Sequence, residues 1–299
     1  MVATTGVNLM TLLEQYGTED KCREVLEGLR WPTGVQCPRC AHDKVYRDEK
    51  RSQYDCADCG YQFSVTSGTV LHDTHLPLRK WFVAAYLMTE SRKGISANQL
   101  KRMISVSYKT AWYLCHRIRA AMKDAAPVPL TGVIEFDETF LGGKKKGIGK
   151  GNTRHLTTVL GALERGGNVR LKVSGRRNKK ALHAFVSDVA DDTAEAFYTD
   201  DFQGYTGIGD ANTRHESVDH KAEEWVRGDV HTNSVEGVWS LLKRSIVGSY
   251  HQMSAKHLPA YLDEFAFRFN NRHSDTLFRD TLMKLVESDA LPYQDLIAS

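Results

Sequence analysis

The chain has 299 residues, of which 41% are hydrophobic, and a formal net charge of +3. This length predicts a large hydrophobic core divided between two or three domains, and the small net charge by itself indicates no particular partner. The longest apolar run, at residues 81–88, is too short to cross a membrane, and the first residues lack a charged start before a long apolar stretch. We therefore expect a cytoplasmic protein with no membrane partner.

Residues 1–30 form the first predicted segment. Apolar residues at helical spacing within residues 8–28 predict one or two short amphipathic helices. Nothing in the segment suggests chemistry, and Cys22 is expected to be a small buried hydrophobic residue.

Two Cys-x2-Cys pairs, separated by fifteen residues, predict a zinc ribbon at residues 31–75. This spacing lets four thiolates surround one tetrahedral Zn²⁺, and the segments between the pairs fit a β-hairpin. Disulfides are the alternative, and an intracellular location argues against them. Because four protein ligands leave no open position, we expect a structural role for the ion. The ligands are Cys37, Cys40, Cys56 and Cys59.

Residues 76–125 contain ten Lys or Arg and two acidic residues, a net charge of +8 that favours nucleic acid as a partner. Two short helices, one beginning at Ser96 and one at residues 109–122, flank a tight turn and predict a helix-turn-helix domain. A generic helical hairpin is the alternative. We expect four residues at the start of the second helix to face the DNA groove and three arginines to contact phosphates. The groove residues are Ser107, Tyr108, Lys109 and Thr110, and the arginines are Arg102, Arg117 and Arg119.

A segment with two prolines at residues 125–131 predicts a domain boundary, which places a further domain at 126–285 and a tail at 286–299. Three consecutive strands, a helix and a returning strand predict an α/β fold with a mixed sheet flanked by helices. The strands are expected at 133–141, 156–163, 169–173 and 196–199, and the helix at 179–189. Irregular chain is expected from the last strand to a helix at Asn233.

The loop GGKKKGIGKG joins the first two of these strands. It lacks the glycine spacing and the following Ser or Thr of a phosphate-binding loop. Two interpretations stay open: Lys144, Lys145 and Lys146 contact nucleic-acid phosphates, or the loop is merely solvated. A second basic cluster at residues 176–180 has the same two interpretations.

Two aspartates predict a metal site. Asp137 lies within the apolar segment GVIEFDETFL, and Asp200 follows the strand AFYT at the sheet edge where open α/β sheets bind ligands. Asp201 is the neighbour that competes with Asp200. Glu135 and Glu138 are expected on the opposite strand face from Asp137, which makes them poor substitutes for it.

The helix that begins in HTNSVEGVW offers a third acidic position. An apolar stripe predicts that this helix packs on the core, and Glu236 and Lys243, seven residues apart, project from nearly the same line beside the stripe. Asn233 followed by Glu236 also fits a capping box, which is a purely structural interpretation. Other carboxylates brought to Glu236 would favour the metal site.

These motifs together resemble a bacterial insertion-sequence transposase with an N-terminal zinc ribbon, a helix-turn-helix and a DDE-type, ribonuclease-H-like catalytic domain. The resemblance covers residues 20–275 and includes GTVLHDTHLPLRKWF, FDETFLGGK, YTDDFQGY and HTNSVEGVWSLLKR. It implies that Asp137 and Asp200 are the first two catalytic acids and that Glu236 or Asn233 is the third. The offset from Glu236 to Lys243 favours Glu236, because it matches the acid-plus-lysine arrangement of DDE enzymes.

The resemblance also implies cleavage at transposon ends, followed by attack of the freed 3′-OH on target DNA. Two Mg²⁺ or Mn²⁺ ions held by Asp137, Asp200 and Glu236 would activate the nucleophile and neutralise the attacking and leaving oxygens. Lys243 would bind a phosphate near the cleaved bond, and His231, His215 and Asn233 are candidates for positioning water or DNA. The implied partners are terminal inverted repeats and target DNA, bound by a homo-oligomer at the bacterial nucleoid.

Two other classes of protein share parts of this pattern. A regulator built from a zinc ribbon and a helix-turn-helix would bind DNA without needing the acidic residues. A ribonuclease-H-like nuclease would share the metal site but would cut DNA without joining it.

Overall fold

The computed structural model describes residues 7–298 except 143–155, 220, 221, 223, 225 and 252. In chain order the elements are α1 (Leu9–Gln15), α2 (Glu19–Arg30), β1 (Val45–Asp48), β2 (Gln53–Cys56), β3 (Gln62–Phe63), α3 (Leu78–Glu90), α4 (Ala97–Ile104), α5 (Tyr108–Met122), β4 (Val133–Leu141), β5 (Thr157–Glu164), β6 (Val169–Ser174), α6 (Lys179–Val189), β7 (Ala196–Asp200), β8 (Arg214–Val218), α7 (Asn233–Ser245), α8 (Leu258–Asn270), α9 (Leu277–Glu287) and α10 (Tyr293–Ile297). A π-helical turn, Ile246–Tyr250, continues α7.

The chain forms two compact units, and the boundaries differ from the predicted domain division. Unit 1 combines Met1–Lys123 with Asn271–Ser299, and unit 2 is Asp124–Asn270. The last residues join unit 1 because α9 packs against α2, α3 and α5. Phe278 of α9 lies 5.9 Å from the Tyr16 ring and 6.1 Å from the Phe82 ring. Burying these aromatic rings together stabilises a unit made from both ends of the chain.

Within unit 1, the strands form a three-stranded antiparallel sheet in the order β1-β2-β3. Of the four predicted zinc ligands, two precede β1, one ends β2 and one lies between β2 and β3. Tyr54 and Phe63 form its small core with Trp31. The Arg30 guanidinium ties the end of α2 to the following segment by donating to the carbonyl oxygens of Val65 and Ser67, both at 2.8 Å.

The helix pair α4–α5 confirms the two predicted helices and their turn. The side chains of Ser96 and Ser107 cap the two helices by accepting from the Gln99 and Thr110 backbone N–H groups. Ser105 ends α4 in the left-handed conformation, with φ 52°. The capping serines therefore fix where each helix begins, as the sequence indicates.

Unit 2 contains the predicted mixed sheet, in the order β6-β5-β4-β7-β8. β4 pairs antiparallel with β5 and parallel with β7, and β8 adds a second parallel pair. The predicted α/β fold with a mixed sheet and flanking helices is thus confirmed. β8 lies where irregular chain was expected. The strand was not predicted because its sequence, RHESV, contains charged residues and has only one buried apolar residue, Val218.

Helices cover both faces of this sheet. On one face, α6 packs Leu182 and Phe185 against Phe136 of β4. On the other face, α7 packs against β4 and β5 and α8 packs against β6, with Trp239 and Leu262 in the same cluster. No helix in the described ranges is both long and apolar enough to cross a membrane.

Candidate active site

The parallel pairing of β4 with β7 brings Asp137 and Asp200 together. Glu135 of β4 is the register partner of Tyr198 in β7, and each aspartate lies two residues further along its strand. Side chains two residues apart share a strand face, so the two carboxylates lie side by side beyond the last paired residues. The predicted convergence of these two residues is therefore realised by the sheet itself.

Glu138 is the third carboxylate of this cluster, contrary to the prediction that strand alternation makes it a poor substitute. Carboxylate oxygens of Asp137, Glu138 and Asp200 all lie within 4.8 Å of one another. Glu138 does leave β4 on the face opposite Asp137, where the Tyr205 hydroxyl donates to its Oε2 at 2.8 Å. Alternation was correct about the face, but Glu138 lies beyond Glu135, the last β4 residue that pairs with β7. There its long side chain reaches the carboxylates of Asp137 and Asp200.

Two neutral donors fix the Asp137 carboxylate. Its Oδ1 accepts from the backbone N–H of Glu138, and its Oδ2 accepts from the Trp239 indole N–H of α7, both at 2.8 Å. Trp239 can approach this closely because Gly161 of β5, the register partner of Asp137, has no Cβ. A Cβ at that position would overlap the Trp239 ring.

Burial and mutual repulsion of the carboxylates in this cluster favour protonation or binding of a cation. Burial, together with the charges of Glu138 and Asp200, raises the pKa of Asp137 to about 7 against the two hydrogen bonds that lower it. Burial also raises the pKa of Glu138, and the Arg177 guanidinium opposes that rise. Concentrated negative charge of this kind is relieved by a bound cation.

Arg177, which precedes α6, is a cationic neighbour of the cluster that the sequence did not single out from its basic stretch. Its Nη2 pairs with Oε1 of Glu138 and lies 3.9 Å from Oδ2 of Asp200. The guanidinium stacks on the Phe202 ring at 3.6 Å from its centroid. A loop residue of this type could be found only by knowing which strand ends the loop lies beside.

Glu236 and Lys243 lie on the same cleft as the clustered carboxylates. The cleft has a volume of about 440 Å³, and both side chains are exposed on α7. Its lining residues are Asp137, Glu138, Thr139, Asp200, Thr232, Glu236, Trp239, Ser240 and Lys243. Among the described residues, the group of carboxylates close enough to share an ion includes Glu138 rather than Glu236, and Asn233 does not line the cleft.

Glu135 caps α7, which corrects two predictions. It lies on the same strand face as Asp137, and its Oε2 accepts from the backbone N–H groups of Ser234 and Val235, both at 2.9 Å. The alternative interpretation, a capping box formed by Asn233 and Glu236, is wrong, because the N-cap is Thr232 and the cap makes no side-chain hydrogen bond to the backbone. A fully buried carboxylate from the sheet instead satisfies the first N–H groups of the helix.

The two candidate histidines hold structure around the site. His231 Nδ1 lies 3.0 Å from Nη2 of Arg165, the same arginine whose Nε donates to Glu135 at 2.7 Å. His215 Nε2 lies 3.0 Å from the Thr199 hydroxyl, and burial lowers the pKa of this imidazole. Their suggested role in positioning water or DNA stays a prediction.

The four cysteines of unit 1 meet as predicted. The Sγ atoms of Cys37 and Cys59 are 3.7 Å apart, and those of Cys40 and Cys56 are 3.5 Å apart. These distances are far too long for disulfides, whose S–S bond is about 2.05 Å. They fit the edges of a tetrahedron with a central Zn²⁺, which are about 3.8 Å for Zn–S bonds of about 2.3 Å.

The expected DNA-contacting residues divide into exposed and buried groups. Tyr108 is 49% exposed, and Arg102, Ser107 and Lys109 are also exposed, while Thr110 is half-buried. Arg117 and Arg119 are only 5% and 2% exposed, so the prediction that they contact phosphates is wrong for this structure. Arg117 instead donates to the His72 carbonyl and lies over the Trp81 ring. Lys144, Lys145 and Lys146 lie outside the described residues.

Comparisons with known proteins identify the family. The ISXO2-like transposase domain matches residues 129–270, and the transposase zinc-ribbon domain matches residues 17–62. A protein of Halobacterium salinarum (strain ATCC 700922 / JCM 11081 / NRC-1), described as an uncharacterized protein in transposable element ISH50, is 31% identical over 280 residues, which cover 87% of this chain and 93% of that protein. A crystal structure of a pre-cleavage Mos1 transpososome is 13% identical and covers 68% of this chain and 75% of that chain, but its TM-score of 0.28 adds nothing to the assignment. With a relative of this identity over nearly its full length and both domain models in the expected order, the chain belongs to the family of DDE transposases that join a zinc ribbon to an ISXO2-like transposase domain.

Proposed function

We propose that this transposase catalyses metal-dependent cleavage at transposon ends and transfer of the resulting 3′-OH strand into target DNA. The observation that carries the proposal is the cluster of Asp137, Glu138 and Asp200 carboxylates, within 4.8 Å of one another, on a cleft shared with Glu236 and Lys243. Carboxylate oxygens are the ligands that Mg²⁺ and Mn²⁺ prefer. The donor set therefore fits divalent cations.

Asp137, Glu138 and Asp200 would hold the first ion, and Glu236 would complete a two-ion site from α7. Bound divalent ions would activate water or a 3′-OH and neutralise charge on the attacking and leaving oxygens. The protein supplies the alignment: Trp239 and the Glu138 backbone hold the Asp137 carboxylate, and Tyr205 holds Glu138. Lys243 places a mobile ammonium on the cleft, where it would bind a phosphate of the cleaved strand.

In unit 1, Cys37, Cys40, Cys56 and Cys59 would bind one structural Zn²⁺. All four of their sulfur atoms lie within 4.8 Å of one another, and a four-thiolate site has no open position for catalysis. Zinc binding can contribute on the order of 10 kcal/mol to the folding of such a small piece, which contains few buried apolar residues.

The partners are DNA at the terminal inverted repeats and at the target. The exposed residues at the start of α5 support a recognition helix, with Ser107, Tyr108, Lys109 and Thr110 at the groove and Arg102 on a phosphate. We infer that the active form is a homo-oligomer assembled on DNA in the cytoplasm, at the nucleoid.

A joining assay tests this function. A donor end with a free 3′-OH is incubated with supercoiled target and with Mg²⁺, Mn²⁺ or no added divalent ion. Asp200→Asn should lower joining by more than about 100-fold while DNA binding persists. Removal of a metal ligand should cost more than removal of a residue that only hydrogen-bonds to a ligand, which typically costs about 10–100-fold. Asp201→Asn is the matched control, because it removes the neighbouring carboxylate and should leave joining intact.

The other outcomes identify the alternatives. Strand cleavage without joined products would indicate a nuclease. Sequence-specific DNA binding with no cleavage under any ion condition would indicate a regulator, and the proposal would then be wrong.

A further inference from the structure

Arg177 occupies the position at which a cation would neutralise the carboxylate cluster. Its guanidinium contacts Oε1 of Glu138 and lies 3.9 Å from Oδ2 of Asp200, so it bridges two of the three proposed ligands. The Glu138 side chain is 2% exposed and the Arg177 side chain 33% exposed. The arginine therefore enters a buried acidic site from the solvent side.

We propose that Arg177 is the resident counter-ion of the cluster and that it exchanges with the divalent cation, so that Arg177 sets the metal affinity of the site. This inference rests on the proposed function, because it assumes that the cluster binds a metal. It adds a role for a residue outside the acidic motifs.

The exchange follows from competition for the same oxygen atoms. Oε2 of Glu138 already accepts a hydrogen bond from Tyr205 at 2.8 Å. A metal ion would therefore bind Glu138 through Oε1, which is the atom that Arg177 contacts. A guanidinium stays charged at every accessible pH, so it competes at all working conditions. A metal ion bound by Glu138 and Asp200 must therefore displace the guanidinium or share their oxygens with it against charge repulsion.

The surroundings of Arg177 favour a reversible departure over a fixed ion pair. The guanidinium lies at the rim of the cluster, 3.6 Å from the centroid of the Phe202 ring. It belongs to the short segment between β6 and α6, and one third of its side chain already faces solvent. Without Arg177, the buried Glu138 carboxylate would lose its cationic partner, a costly state unless a metal ion replaces it.

Arg176 provides a matched control. It carries the same charge one residue away and is exposed. Its backbone is held by Ser174, whose hydroxyl donates to the Arg176 carbonyl at 2.7 Å. General electrostatic repulsion of cations by the basic stretch would make both arginines matter equally, whereas exchange at the carboxylates singles out Arg177.

The test measures Mn²⁺ binding to the full-length, zinc-loaded protein without DNA, at a fixed pH of about 8, from the electron paramagnetic resonance signal of free Mn²⁺. The Arg177→Gln variant should bind Mn²⁺ about tenfold more tightly than the wild type, as expected if the guanidinium covers the site in about nine molecules of ten. Arg176→Gln should match the wild type. Asp137→Asn defines the binding that belongs to the cluster.

Equal or weaker Mn²⁺ binding by Arg177→Gln, with Asp137-dependent binding intact in the wild type, would overturn the inference and leave the proposed function standing. Absence of Asp137-dependent binding in both proteins would overturn the proposed metal centre and the inference with it. If Arg177→Gln does not fold, the Arg177→Lys variant is tested instead, because it keeps the positive charge but not the planar guanidinium. The inference then requires that Arg177→Lys bind Mn²⁺ more tightly than the wild type.

Discussion

At the scale of single residues, the site depends on which carboxylate completes the cluster begun by Asp137 and Asp200. Sequence reasoning chose Glu236, on the helix, and set aside Glu138, beside Asp137 in the strand. The structure puts Glu138 in the cluster and Glu236 on the wall of the cleft. The two acids should consequently contribute at different stages, Glu138 to binding of the first ion and Glu236 to catalysis on DNA.

Paired substitutions test this division of roles. Glu138→Gln should weaken Mn²⁺ binding to the DNA-free protein by about 10-fold or more, because one carboxylate ligand is lost. Glu236→Gln should change that binding little and abolish strand transfer. Calorimetric titration and the joining assay measure the two effects. Equal loss of Mn²⁺ affinity in both variants would show that Glu236 already contributes to the DNA-free site.

The raised pKa of Asp137 predicts how pH acts on the protein without added divalent ions. The folded protein holds this proton up to about pH 7, whereas the unfolded chain releases it near the ordinary value of 3.8. The unfolded state therefore binds fewer protons between these two values, so this group makes the free energy of unfolding fall as pH rises through that window. Above about pH 7 its effect levels off.

Urea unfolding at pH 5 and pH 8 measures this dependence. Asp137→Asn removes the titrating group, so the loss of stability between the two pH values should be smaller in the variant than in the wild type. An identical pH dependence in both proteins would contradict a buried, protonated Asp137.

At the scale of elements, α7 is positioned by β4 and β5. Glu135 caps the helix from the strand, and Gly161 gives Trp239 room to reach Asp137. The sequence predicted β4 and α6 with correct limits, since long apolar periodicity decides both. It could not reveal the cap or the glycine contact, because each depends on which strand lies under the helix.

Removing the Glu135 cap should loosen α7. Glu135→Ala leaves Arg165 and two helix N–H groups without their buried acceptor, and we expect a loss of about 3 kcal/mol in the free energy of unfolding. Glu216→Gln is the control: this carboxylate pairs with Arg214 but is 30% exposed, so its loss should cost less than about 1 kcal/mol. Chemical denaturation measures both, and equal effects would contradict the capping role.

Adding a methyl group under Trp239 should displace α7 from the sheet. Gly161→Ala places a Cβ inside the Trp239 ring, which should cost about 1–3 kcal/mol and weaken Mn²⁺ binding through the lost contact to Asp137. Gly175→Ala meets nothing within 4 Å and serves as control. A Gly161→Ala protein with wild-type stability and Mn²⁺ affinity would refute the argument.

At the scale of the whole molecule, the chain is divided differently from its sequence pattern. Prolines predicted a boundary at residues 125–131, and unit 2 begins at Asp124. The sequence did not predict that residues 271–299 belong to unit 1. Helical periodicity in α9 shows that one face of the helix is buried, but it does not show which elements cover that face. Segregation of positive charge into residues 76–125 is visible in sequence, and the burial of Arg117 and Arg119 is not.

Deleting residues 271–299 should therefore unfold the rest of unit 1, at residues 7–123. The deletion removes the buried α9 side chains Phe278, Leu282, Leu285 and Val286, each worth about 1.5–3 kcal/mol of burial. That sum is comparable to the stability of a whole domain. Limited proteolysis with mass spectrometry should show cleavage throughout residues 7–123 and protection of the helices and strands of unit 2. Protection of both regions would show that unit 1 holds together without α9.

A unit assembled from two separated stretches of the chain has a consequence for synthesis. The ribosome releases residues 1–123 first, yet their final partner, α9, leaves the exit tunnel only after all of unit 2 has been made. A message broken anywhere upstream of α9 therefore yields a product whose first unit lacks this helix, even when all of unit 2 has been made.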